Sequence, residues 1–165
     1  MAAKALSVSI YTDGIRSTLA AFRKLPAEAS ENLRDGSLKL SKTLARRVQA
    51  AGLADSDQAA AVAPTVKAVR DRVPAITAGG PTRVTSSRVP AWKILFGSEF
   101  GARRRFGWYA ARKYSRSPGR QYRPHLGRGS YWMFRAVDRS QATINAGWAK
   151  VADDIAASFR QRGGG

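Results

Sequence analysis

Thr65–Ala91, TVKAVRDRVPAITAGGPTRVTSSRVPA, decides the fold, because the character of the chain changes there. Val66, Val69, Val73, Ile76, Val84 and Val89 stand among Thr, Ser, Gly and Pro, the make-up of short strands bounded by turns. Gly79-Gly80-Pro81 is the expected hairpin turn. On either side of this stretch the apolar spacing lengthens to that of helices. Strands in the middle with helices at both ends define an α+β chain.

Working towards the N-terminus, Asp55–Ala63 is Ala-rich and reads as a short helix ended by Pro64. Before it, Ala27–Ala51 places Leu33, Ser37, Leu40, Leu44 and Val48 on one face, with Lys39, Lys42, Arg46 and Arg47 largely outside it. Pro26 suits the start of this helix, Gly36 weakens it locally, and Gly52 is its expected C-cap. Ile15, Leu19, Phe22 and Leu25 give a shorter helix stopped by Pro26. Leu6, Val8 and Ile10 alternate with Ser7, Ser9 and Tyr11, the period of a strand, and Asp13-Gly14 turns the chain.

Towards the C-terminus, Lys93–Phe100 is a compact apolar and aromatic segment closed by Gly101. Gly101–Gly129 is a long excursion rich in Arg, Gly and aromatic residues, and loops of that length are functional or disordered. Tyr131–Arg139 reads as one or two helical turns. The last helix, Gln141–Arg160, carries Ile144, Trp148, Val151, Ile155 and Phe159 as a stripe expected to pack in the core. No internal repeat or linker divides the chain. The expectation is one domain over residues 1–162, with 163–165 as a flexible tail. Its small antiparallel sheet packs with a long N-terminal helix and an amphipathic C-terminal one, and a long basic loop or hairpin is added.

Charge is the strongest functional signal. The chain has 29 Lys plus Arg against 11 Asp plus Glu, a formal net of +18 over 165 residues. Between Pro74 and Val137 the only acid is Glu99. Such self-repulsion is offset most simply by a polyanion or an acidic protein surface. There is no cysteine, which excludes disulfides and thiolate metal sites and agrees with a reducing cytoplasm. No stretch approaches the roughly 18 apolar residues of a membrane span.

Catalytic patterns are absent. His125 is the only histidine and sits in a nearly acid-free region, so it reads as a loop or packing residue. No nucleophile elbow, phosphate loop or dinucleotide fingerprint occurs. Asp153 and Asp154, about 100° apart around a helix, read as a solvated face rather than a metal pair. No enzyme activity, cofactor or metal is expected.

The candidate contact residues are therefore Arg103, Arg104, Arg105, Trp108, Tyr109, Arg112, Lys113, Arg116, Arg120 and Arg123. Arginine reaches phosphates bidentately and aromatic faces stack on unpaired bases, so the segment has the composition of a sequence-tolerant nucleic-acid binder. The same residue types anchor protein interfaces. A solvated hairpin with its aromatics packed beneath it is the third reading.

The order of these features resembles the tailed-phage neck and tail-completion proteins, the small head–tail joining family. The likeness rests on the long basic helix, the Ala63-Pro64-Thr65 transition, the short strands and the segment Ala91–Gly101 ending in Glu99-Phe100-Gly101. After these come the arginine-rich loop, Pro124-His125-Leu126 and the terminal amphipathic helix. The family motif continues with Thr where this chain has Ala102, and His125 stands where an aromatic is usual. The resemblance implies a non-enzymatic virion protein, made in the host cytoplasm, that forms a homo-oligomeric sixfold ring. That ring would complete or terminate the tail and join it to the head. Neighbouring neck, stopper, terminator or tail-tube proteins would be its partners, with genomic DNA in the channel as a further contact and no membrane. Glu99 and Phe100 would shape a loop or a subunit contact. Glu99 would serve as an ion-pair partner within or between subunits, or as a plain structural salt bridge. The basic surface would dock on acidic neighbouring rings, where complementary charge sets register.

Overall fold

The structure, a computed structural model, describes residues 5–10, 15–102 and 122–162. The expected Asp13-Gly14 turn and the tail 163–165 lie outside the described residues. So do Arg103, Arg104, Arg105, Trp108, Tyr109, Arg112, Lys113, Arg116 and Arg120.

Along the chain, β1 (Ala5–Ser9) is followed by α1 (Ile15–Phe22), α2 (Ala27–Leu53) and α3 (Asp57–Val62). A single 3-10 turn, Ala63–Thr65, leads into β2 (Lys67–Val69) and β3 (Ala75–Gly79). Then come β4 (Arg83–Val84), β5 (Val89–Pro90), α4 (Ala91–Phe100) and α5 (Met133–Arg162). The fold is α+β: an antiparallel three-stranded sheet in the order β1-β3-β2 packs against α2 and α5. Among the described residues, no helix is long and apolar enough to cross a membrane.

The described chain forms two compact units, each gathered from separate stretches. One comprises residues 7–10, 15–46, 67–77 and 139–162. Its core joins Ile15 and Phe22 of α1, Ala29 and Leu33 of α2, Val73, and Trp148 and Ala152 of α5. Val151, Ile155 and Phe159 pack against that core and Ile144 is buried, so the C-terminal stripe points inward. Glycines let the two helices approach: a Cβ on Gly147 would lie 2.9 Å from Leu40, and one on Gly36 would collide with Val151. β2 and β3 pair with Ala68 opposite Ile76.

Ser37 and Ser41 stand on the otherwise apolar face of α2, and both are fully buried. The Ser41 hydroxyl accepts from Ala75 N–H at 3.0 Å and donates to the Ser37 carbonyl. The Ser37 hydroxyl donates to the Arg72 carbonyl at 2.9 Å, which also accepts from the Trp148 indole N–H at 2.8 Å. Two helix serines thus satisfy backbone groups at the β2–β3 hairpin, where an unpaired buried group would cost stability.

The other unit comprises residues 5–6, 47–66, 78–102 and 122–138. Val48, Val62, Val66, Leu95, Trp132 and Met133 are fully or almost fully buried in it. Its α3 opens on Ser56, whose hydroxyl accepts from Ala59 N–H.

Several local expectations differ from what forms. α1 stops at Phe22, and Arg23–Leu25 tighten into i→i−3 bonds before Pro26. α2 runs through Gly52 to Leu53, so Gly52 is not a cap. A Cβ there would lie 2.8 Å from both Ala63 and the Trp132 ring, so the glycine serves close packing. Tyr131–Arg139 and Gln141–Arg160 are not separate pieces: one 30-residue helix covers Met133–Arg162, since no proline interrupts it. Gly79 and Gly80 have φ of 85° and 79°, but they lead from β3 into the separate β4–β5 pair rather than joining two paired strands. The hairpins close at residues 70–74 and 85–88 instead.

Candidate functional site

α4 is built for one position. It starts after Pro90, and its first N–H groups, on Ala91 and Trp92, donate to the carbonyls of Thr82 and Gly80. Ile94 and Leu95 are buried while Trp92, Phe96 and Phe100 are half-buried. Gly101 ends the helix with φ of 72°, and a Cβ there would run into the Arg123 and Pro124 carbonyls. Only glycine fits that turn.

Immediately before it, Glu99 is buried and aimed at the start of α5. Its Oε2 accepts from Met133 N–H at 2.7 Å and Trp132 N–H at 3.3 Å, and its Oε1 from Phe134 N–H at 2.9 Å. The Glu99 carbonyl accepts from Tyr131 N–H at 2.7 Å. A helix leaves its first N–H groups without partners, and an acid favours that end of the macrodipole. Here the cap comes from a residue far back in the chain. Burial pushes the Glu99 carboxyl above the usual range, and the N–H groups of Phe134, Met133 and Trp132 pull it back only in part. Among the described residues the Glu99 carboxyl is held by these backbone N–H groups and by the Ser130 side chain.

Phe100 stacks on Phe96 with centroids 6.2 Å apart and meets Phe134 at 5.9 Å. The three rings form a half-buried aromatic row beside the Glu99 cap. Trp132 N–H of the indole donates to Ser98 Oγ at 3.3 Å, which ties the same two elements a second time.

The flanks of the basic segment meet here. Ala102 N–H donates to the Arg123 carbonyl at 2.9 Å, and Leu126 N–H to the Phe100 carbonyl at 3.3 Å. Ala102 and Pro124 form a parallel bridge, and the Tyr122 ring covers Gly97, where a Cβ would lie 2.7 Å from it. The chain therefore leaves toward residue 103 and returns from residue 121 at one place. Arg123 forms an ion pair with the mostly buried Asp55 and lies 3.6 Å above the Tyr131 ring. Its guanidinium is used within the chain. The Tyr131 hydroxyl donates to the Pro124 carbonyl at 2.6 Å. His125 Nδ1 accepts from Gly127 N–H at 2.9 Å in a local turn.

Of the sequence-derived candidates, Glu99, Phe100 and Arg123 converge at this junction. Asp55, Ser98, Tyr131 and Trp132 complete it without having been singled out, because none carries a local pattern. Glu99 did carry one, as the lone acid within an apolar run. Among the described residues no three of His, Asp or Glu come together as a metal site. Asp154 pairs with Lys150 at 2.9 Å on an exposed face of α5.

Comparison of the chain with protein-family models, curated proteins and solved structures gives no match.

Proposed function

We propose that this chain is a structural virion protein of a tailed bacteriophage. In this reading it forms a sixfold homo-oligomeric ring in the head–tail connector, completes or terminates the tail and joins it to the head without catalysis. The observation that carries the reading is the Glu99-Phe100-Gly101 junction. That motif caps α5, ends α4 and holds both flanks of the basic segment together. A stretch of this charge suits docking on acidic neighbouring rings, where complementary charge sets partner and register. The half-buried Phe96–Phe100–Phe134 row offers the aromatic component that subunit interfaces favour.

The test is light-scattering sizing of the purified chain, alone and mixed with portal-side, tail-tube and terminator proteins from the same genome. A closed oligomer, or a stable complex with one of them, is the expected result. A monomer that associates with none of them refutes the proposal.

A further inference from the structure

We propose that α2 carries a nucleic-acid contact of its own: a row of three cations, Lys39, Lys42 and Arg46, that lies along a phosphate backbone. The three residues follow at i, i+3 and i+7, so they share one side of the helix across about 10 Å at ~1.5 Å per residue. All three are exposed, and the opposite side of α2 buries Ser37, Ser41 and Leu44. The row's orientation is therefore fixed by packing.

Among the described residues the row makes no ion pair of its own: none of the pairs includes Lys39, Lys42 or Arg46. The acids at its N-terminal end accept hydrogen bonds from Arg70, whose Nε donates to Asp35 at 2.7 Å and Nη2 to Glu31 at 2.9 Å. Arg70 is the main cause that holds both carboxyls below their ordinary range, with Arg34 adding to it at Glu31 and the Lys39 charge adding to it at Asp35. Thr43, beside the row, turns its hydroxyl back to the Lys39 carbonyl.

Composition selects the occupant. A protein interface draws its energy from aromatic and apolar anchors at its centre, and this row has none. A second copy is a poor fit, because the chain has only 11 acids against 29 bases. A polyanion matches both the row and the net charge of +18. Contacts of this kind release condensed counterions and carry no base information, so the binding is sequence-tolerant and allows sliding. The inference uses none of residues 103–128 and does not depend on the head–tail reading.

The test compares the full chain with a Lys39→Gln/Lys42→Gln/Arg46→Gln variant. Anisotropy titrations with two unrelated duplexes of ~20 base pairs are run over a range of salt concentrations. The expected result is a fall of about 2–3 in the slope of log K against log salt, equal for both duplexes. A Lys39→Arg/Lys42→Arg variant, which keeps the charge, retains the wild-type slope. Absence of duplex binding by the wild type at ~50 mM salt overturns the proposal, since phosphate contacts are strongest at low salt. An unchanged slope in the Gln variant, or a loss in the Arg variant, overturns it as well. So does loss of poly-L-glutamate binding with duplex binding intact, which would assign the row to an acidic protein. The sizing test for ring assembly reads a different property, so the two proposals fail separately.

Discussion

At Glu99, burial and hydrogen bonding act in opposite directions, and both can be read by substitution. Glu99→Ala leaves the N–H groups of Trp132, Met133 and Phe134 without their acceptor, an expected loss of about 2–4 kcal/mol in urea unfolding. The pH dependence follows from the upward shift of the folded carboxyl. The folded state keeps its proton at pH values where the unfolded chain, near an ordinary 4.3, has released it. The stability this contributes is whole below that value and is lost as pH rises through the folded one. The stability of the wild type relative to Glu99→Gln therefore falls as pH is raised from about 4 towards neutrality. Glu31 and Asp35, held low by Arg70, act in the opposite sense but cancel in the difference. Gly52 gives a second test at this scale. Helix propensity alone favours Gly52→Ala by about 1 kcal/mol. The Cβ would press on Ala63 and the buried Trp132 ring, and overpacking costs about 1–3 kcal/mol. A lowered melting temperature is the expected outcome.

Between elements, the serines of α2 make unequal contributions. Ser41→Ala leaves the buried Ala75 N–H without its acceptor, a loss of about 1–2 kcal/mol. Ser37→Ala is milder, because the Arg72 carbonyl keeps the Trp148 indole as donor. Urea midpoints of the two variants check the order. The same elements show how far the sequence was legible. The stripe from Ile144 to Phe159 and the apolar face of α2 follow from spacing alone, and both pack inward. Ser37 could be placed on that face, yet nothing nearby in the chain names Arg72 as its partner. The Gly79-Gly80 turn was visible as a turn, but whether it joins paired strands or separates two sheets depends on what each strand meets.

Across the molecule, charge dominates what can be measured. Like charges repel in the folded state, and salt shortens the Debye length from about 30 Å at 0.01 M to about 10 Å at 0.1 M. The melting temperature is expected to rise by a few degrees over that range, read by circular dichroism. A fall would mean that attractive pairs outweigh the repulsion. At the same scale, the proposed head–tail reading expects Arg103→Ala/Arg104→Ala/Arg105→Ala to abolish assembly with partner rings while leaving secondary structure intact. Assembly that persists while nucleic-acid affinity collapses would reverse that assignment of the segment.

Net charge, the acid-poor span from Pro74 to Val137, the helix stripes and the strand-like middle are properties of composition and short-range spacing, so they are present in the chain before it folds. The capping of α5 by Glu99, the Asp55–Arg123 pair, the close approach at Gly52 and the meeting of Ala102 with Arg123 join residues far apart along the chain. Periodicity reports which face of an element is apolar. It does not report which distant backbone group that face will satisfy, and that choice is made only when buried donors and acceptors must find one another.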